Sequence, residues 1–261
     1  VILKPLSVRL RKNAAAVVSS SDTGSNGSLG AVVNELLRLP LQEIIVVLHG
    51  SSASERSAAA GFPERVKVIQ YDAAISGEAA RAFGAEQTTA DNVLFMEGGT
   101  PVPAKRLVGF LTSVDKGADA VVSDISGRLG KFSTWDDWAK VQTFLNCSLR
   151  RPDLIANSLT ALPYSLSRRA IDYLGRDIIA VPPVAHASLL AAKMKVVTGK
   201  GCPVRRPHSV VSDWLPISHI DALRRVMVQS NGCSRLTFPD RSRNREAAGW
   251  TSGKSESSFR E

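Results

Sequence analysis

The sequence predicts an α/β protein with a mostly parallel sheet flanked by helices on both faces. Three observations carry this. Apolar runs that do not alternate with polar residues recur along the first half, as strands buried on both faces require. Segments with apolar residues at helical spacing separate those runs. The alternation of strand and helix is unbroken across residues 14–122, which implies a doubly wound sheet with right-handed crossovers.

Ala14–Ser20, AAAVVSS, reads as the first strand, and the polar run 19–28 as the loop at its carboxyl end. Leu29, Val32, Val33, Leu36 and Leu37 recur at helical spacing, so a helix is expected over 27–39, closed by Pro40. Glu43–Leu48, EIIVVL, is the second strand, and it runs into the tight polar turn His49-Gly50-Ser51-Ser52. The serine-rich helix start there offers free N–H groups to a phosphate or ribose. Strands are further expected at 66–70, 93–97 and 118–122, with an alanine-rich helix at Ser76–Glu86 and another helix at 103–116. Small side chains in the alanine-rich helix suit close packing on the sheet.

Beyond Asp124 the periodicity loosens. Helices are expected at 135–149, 167–174, 184–194 and 217–228, a short strand at Leu159–Pro163 and an edge strand at Lys195–Thr198. This divides the chain into a basic extension at 1–13, halves at 14–124 and 125–231, and an arginine-rich tail at 232–261 expected to be partly disordered.

Composition excludes several classes. With 261 residues the chain is long enough for a sizeable core. It contains no apolar run of the roughly 18 residues a membrane span needs. Its first residues lack the apolar core of a secretory leader, so a cytoplasmic protein is expected. Three scattered cysteines fit neither a disulfide framework nor a Cys-x-x-Cys metal site. The net charge of +9 gathers at the two ends and forms no nucleic-acid motif, so no specific nucleic acid is expected. Such flanks suit phosphate groups, a sugar nucleotide or a peripheral contact with an anionic membrane at its inner face.

The densest chemical signal is Asn92–Pro103, NVLFMEGGTPVP. Glu97 stands where the buried run stops, in the position from which an open α/β sheet contacts ligands, and Gly98 and Gly99 permit close approach of a ligand or backbone. A solvated acid in an ordinary strand-to-helix turn is the competing reading.

Taken in order, VVSSSD, IIVVLHGSS, SGEAARAFGA and VLFMEGGTPVP resemble the N-terminal half of family 2 glycosyltransferases with the GT-A fold. That family carries an acidic D-D-G-S turn, an A-R-N-x-G helix and a D-x-D motif ending a buried strand. The segment SHIDALRRVMVQSNGCSRLTFPDRSRNREAAG also resembles a C-terminal pattern of some bacterial members. The resemblance implies a GT-A fold with a smaller acceptor-side region. It implies a hexosyltransferase-class enzyme that moves a sugar from a nucleoside-diphosphate sugar to a carbohydrate or glycoconjugate acceptor, with inversion. By the same resemblance Ser19 and Ser21 bracket the base. His49 and Ser51 lie in the turn, and Arg81 in the helix motif with Gly84. Glu97 and Gly99 occupy the two acidic places of D-x-D.

Several of those places depart from the family. Gly99 offers no carboxylate, so Glu97 remains as a weak candidate ligand for Mg2+ or Mn2+, and the cation should be weakly held or absent. His186 falls where the family places the acceptor's base, and imidazole suits that task. A structural histidine is the alternative. Arg205 and Arg206 are candidates to neutralise the diphosphate, against a solvated basic loop. Trp135 and Trp138 are candidates for an acceptor platform, against a packed hinge. A non-catalytic GT-A-like binding or scaffolding module is the competing function.

Overall fold

The computed structural model describes residues 4–21, 28–71, 75–199 and 218–224. Strand β1 (Ala14–Ser20) and strand β2 (Glu43–His49) are buried along their whole length, as is β4 (Asn92–Glu97) up to its last residue. Burial on both faces accounts for their lack of alternation. Around them the chain adds α1 (Ser28–Leu37), α2 (Ala53–Ala60), β3 (Val66–Tyr71), α3 (Gly77–Glu86), α4 (Ala104–Asp115) and β5 (Ala120–Ser123). The second half contributes α5 (Asp137–Ser148), β6 (Tyr164–Ser167), α6 (Arg168–Ile179), α7 (Pro182–Ala191) and the edge strand β7 (Val196–Gly199). A helical stretch lies at 218–224, inside the span expected at 217–228.

Seven strands form one sheet in the order β3-β2-β1-β4-β6-β5-β7. Successive residues of the central strands feed opposite cores, as the two-residue strand period dictates. Ala16, Val18, Ile44, Val46, Leu94 and Met96 meet α1 and α4 through Val33, Leu36, Leu107 and Phe110. Val17, Ile45, Val47, Val93 and Phe95 meet α3, α6 and α7 through Ala80, Ala82, Ile171 and Leu189. Gly84 allows α3 its close seat, because a Cβ there would lie 2.5 Å from Val17 Cγ1.

The expectation of a parallel sheet holds for β3, β2, β1 and β4. Between β4 and β5, however, the chain inserts β6, which runs antiparallel to both. The strand expected at Leu159–Pro163 is displaced to Tyr164–Ser167. Proline has no N–H for a ladder, so pairing starts only after Pro163. The helix expected to end at Leu174 does stop there, because Gly175 (φ 68°, ψ 167°) is non-helical, and a second helical piece carries α6 on to Ile179.

The described part of the basic extension, from residue 4, is docked. Leu6 and Leu10 pack on the first core, and the backbone N–H groups of Arg11 and Lys12 donate to the Asp115 carboxylate at 3.0 and 2.9 Å. Among the described residues no helix is long and apolar enough to cross a membrane.

A candidate ligand site at the carboxyl edge of the sheet

His49 and Glu97 end β2 and β4, Ser19 is the penultimate residue of the parallel β1 between them, and Ser19 pairs directly with Glu97 in the register of β1 and β4. Each shares the strand parity of residues in the α3-side core (Val17, Val47 and Phe95), so all three side chains are directed to that face. The sheet thereby gathers residues far apart in sequence along one edge, where open α/β sheets bind ligands.

Arg81 of α3 is the electrostatic centre of this edge. Its side chain is only 7% exposed, yet it bears a full charge. Arg81 Nη1 donates to Ser19 Oγ at 3.0 Å, and Nη2 donates to Glu78 Oε1 at 3.3 Å. The helix makes this possible, since residues three apart lie on one face. Burial raises the Glu78 pKa, but Arg81 outweighs that and holds the carboxyl below its usual range. Burial pushes the Tyr164 phenol pKa up, against the lowering effect of the nearby Arg81 charge. Its ring stacks on Phe95 with centroids 4.8 Å apart. His49 is buried, and burial together with the Arg81 charge lowers its pKa, so the imidazole stays neutral at neutral pH.

The turn after β2 continues the lining. Ser52 caps α2 by accepting from Glu55 N, and Glu55 Oε1 accepts from Ser20 Oγ. Gly98 is required where the chain leaves β4, because a Cβ there would fall 2.4 Å from Ser20 Oγ. Ser51 Oγ, Glu55 Oε2 and Arg81 Nε are buried without a hydrogen-bond partner among the described residues. Buried polar groups are nearly always satisfied, so three orphans along one sheet edge mark a place built to meet something polar.

Ser19, His49, Ser51, Arg81 and Glu97 are thus brought to one edge. Ser21 follows β1 half-buried, and Gly99 lies in the turn after β4. Arg205 and Arg206 lie outside the described residues. Sequence reasoning missed Ser20, Glu55, Glu78 and Tyr164. The spacing of Glu78 and Arg81 was a usable signal for one of these. Nothing local marks Tyr164, which arrives through the inserted antiparallel strand.

His186 lies on α7, away from solvent. Its ring is fully buried, and burial, helped by the charges of Arg151 and His219, lowers its pKa to about 3. Its Nε2 pairs with Asn146 Oδ1 at 2.8 Å, while Asn146 Nδ2 donates to the carbonyls of Ile155 and Asn157. The amide oxygen therefore faces the ring, and His186 Nε2 carries the proton. The other nitrogen, Nδ1, is buried with no partner. So weak a base, closed off from solvent, is suited to packing and not to proton abstraction.

The donor set also speaks to a divalent cation. Glu97 is the acid at the end of β4, Gly99 offers none, and Glu55 and Glu78 are engaged by Ser20 and Arg81. No group of three or more His, Cys, Asp or Glu side chains among the described residues is arranged to hold a metal ion. The residues present do not by themselves fit a divalent-cation cage. Both tryptophans pack against a small core with Ile125 and Ala139, and Trp135 also meets the exposed Phe132.

No protein-family model matches the sequence, and no curated protein sequence is significantly similar to it. Solved structures do resemble it. Glucosyl-3-phosphoglycerate synthase from Mycobacterium tuberculosis in complex with Mn2+, uridine diphosphate and phosphoglyceric acid superposes with a TM-score of 0.57 at 13% identity, covering 86% of this chain and 80% of that one. The same synthase with Mn2+, UDP-glucose and glycerol 3-phosphate gives 0.57 at 14% identity, covering 86% and 82%. At such identity the likeness speaks for architecture: this chain has the fold of the GT-A glycosyltransferases.

Proposed function

We propose that this protein transfers a sugar from a nucleoside-diphosphate donor, a uridine diphosphate sugar in the first instance, to an acceptor hydroxyl with inversion. The observation that carries this is the convergence of Ser19, His49, Arg81 and Glu97 on the sheet edge, with the orphaned atoms of Ser51, Glu55 and Arg81 beside them. In this reading Ser19 and Ser51 offer hydroxyls to the nucleotide, and Glu97 accepts from a ribose or sugar hydroxyl. Arg81 supplies a fixed positive field near the diphosphate. Developing negative charge on a leaving diphosphate is best met by such preorganised charge. Because Gly99 replaces an acid, donor binding should depend only weakly on a divalent cation. Solved structures of like fold hold Mn2+ and UDP-glucose, which supports the donor class while leaving this chain's metal requirement to experiment.

Calorimetric titration with uridine, guanosine and thymidine diphosphates, each with manganese and with chelator, tests the reading. Binding of at least one nucleotide, changed less than about tenfold by chelation, is expected; tenfold corresponds to about 1.4 kcal/mol. Absence of binding by all three at millimolar concentration would remove the donor site. The second reading, a GT-A-like module that binds without turnover, is favoured by the burial of His186, which leaves the expected base position without a usable base. Nucleotide binding with no hydrolysis or transfer of any sugar nucleotide would establish it.

A further inference from the structure

The reading just given needs a proton acceptor near the acceptor hydroxyl, and His186 does not supply one. The sheet register points elsewhere. Val93 of β4 and Ala120 of β5 both pair with Leu166 of the antiparallel β6 between them, so they stand at the same level. Glu97 and Asp124 lie equally far beyond those two residues, on strands that run the same way. The Asp124 N–H still donates to the Gly199 carbonyl at 3.1 Å, which keeps the residue on the sheet edge. The parity also agrees. Val93 and Phe95 share a core with Ala120 and Val122, so Glu97 and Asp124 are directed to the same face. Two strand spacings, roughly 10 Å, separate them. The intervening strand starts only at Tyr164, which pairs with Phe95 two residues below that level.

The Asp124 carboxylate is held by one oxygen. Oδ1 accepts from Ser126 N at 3.0 Å and from Asn157 Nδ2 at 3.4 Å, while Oδ2 takes no hydrogen bond among the described residues. Asn157 is itself locked: its Oδ1 accepts from Ile125 N at 2.8 Å, and its carbonyl accepts from Asn146 Nδ2 at 3.1 Å. Asn146 is held in turn by His186, and Asn146, Asn157 and His186 are all buried. Between these side chains Ile155 adopts φ 52°, ψ −115°, a costly conformation for a β-branched residue. Such strain is tolerated where the surroundings over-determine it, and it concentrates at functional sites. The loop leaving Asp124 then presents Phe132, 64% exposed, against Trp135 at 5.0 Å between ring centroids. That loop is pinned by Trp135 Nε1, which donates to the Gly130 carbonyl at 3.2 Å. An exposed Phe132 backed by a half-buried Trp135 suits the apolar face of a sugar ring.

We propose that Asp124 is the carboxylate that takes the acceptor's proton, that Phe132 and Trp135 bind a carbohydrate acceptor beside it, and that Asn157, Asn146 and His186 are positioning residues behind it. This rests on the donor reading above. In the step, Asp124 Oδ2 removes the proton of the acceptor hydroxyl as its oxygen bonds the anomeric carbon. The bond from that carbon to the diphosphate breaks, and the nucleoside diphosphate leaves with the electron pair. One charge-neutral exchange results, with the proton on Asp124.

The test uses the full chain with UDP-glucose, reading hydrolysis and transfer to a panel of aryl glycosides, beside calorimetry with uridine diphosphate. Asp124→Asn is expected to lower turnover by about 100-fold or more. It should leave uridine diphosphate affinity within about twofold, on the order of 0.4 kcal/mol. Added formate should restore part of the turnover of Asp124→Ala, which a merely structural role would not allow. Asn157→Ala should lower turnover at unchanged nucleotide affinity, and it serves as the deciding variant if Asp124→Asn does not fold. Turnover of Asp124→Asn close to that of the parent would overturn the proposal, as would a parent chain that binds uridine diphosphate but turns nothing over. Failure to bind uridine diphosphate at all is a separate result, and it would strike the donor reading beneath.

Discussion

Arg81 shows what a single residue is asked to do here. A guanidinium taken out of water is costly unless its donors are used, and this one serves Ser19 and Glu78 together. Lysine offers one compact charge and cannot span Ser19 and Glu78 in the same way. Arg81→Lys is expected to cost about 1–3 kcal/mol in urea unfolding, from a buried acceptor left unmade, and to weaken uridine diphosphate binding. An unchanged midpoint would mean the guanidinium bonds contribute nothing. His186 gives a prediction of opposite character. Its pKa falls from 6.5 unfolded to about 3 folded, so the unfolded chain binds the extra proton in that window. Its contribution is therefore complete above pH 6.5 and declines as the pH falls toward 3. Between pH 7 and pH 5 the loss should be about 2 kcal/mol, at 1.36 kcal/mol per unit. Denaturation curves for the parent and for His186→Asn should diverge in pH slope, and parallel slopes would show that this ring does not titrate on unfolding.

At the scale of elements, α3 is the piece whose seating matters most to the site, because it delivers Arg81 and Glu78 to the sheet edge. Its approach depends on Gly84, where a Cβ would meet Val17 Cγ1 at 2.5 Å and Val47 Cγ2 at 3.2 Å. Neither valine can turn away inside a filled core, so Gly84→Ala should cost about 1–3 kcal/mol despite alanine's higher helix propensity. Melting temperature reads this directly, and a stabilised variant would mean α3 sits less tightly than the geometry requires. Element boundaries in the first half were legible because β1, β2, β4 and β5 are runs buried on both faces and the helices have a cap or a proline at an edge. Ser52 and Ser76 cap α2 and α3 as their positions in the sequence suggest. The strand after Leu159 was misplaced because an apolar run says nothing of where pairing begins.

For the whole molecule, the seven-stranded sheet joins both halves, since β6 from the second half lies between β4 and β5 from the first. Donor and proposed acceptor residues therefore sit on one rigid layer, and a ligand bound at one end of that layer stabilises the sheet as a unit. Nucleotide at 100 times its dissociation constant should raise unfolding free energy by about 2.7 kcal/mol, readable as a thermal shift. The sequence alone determined the α/β class, the succession of the first five strands along the chain and the presence of Ser19, His49 and Glu97 near strand ends, because buried runs and turn residues are local signals. Only the tertiary structure decided that β6 enters antiparallel, that Arg81 binds Ser19 and that His186 is sealed in a core. It alone placed Asp124 level with Glu97. Those facts depend on which strands become neighbours, and strand adjacency is fixed by long-range packing that no stretch of sequence records.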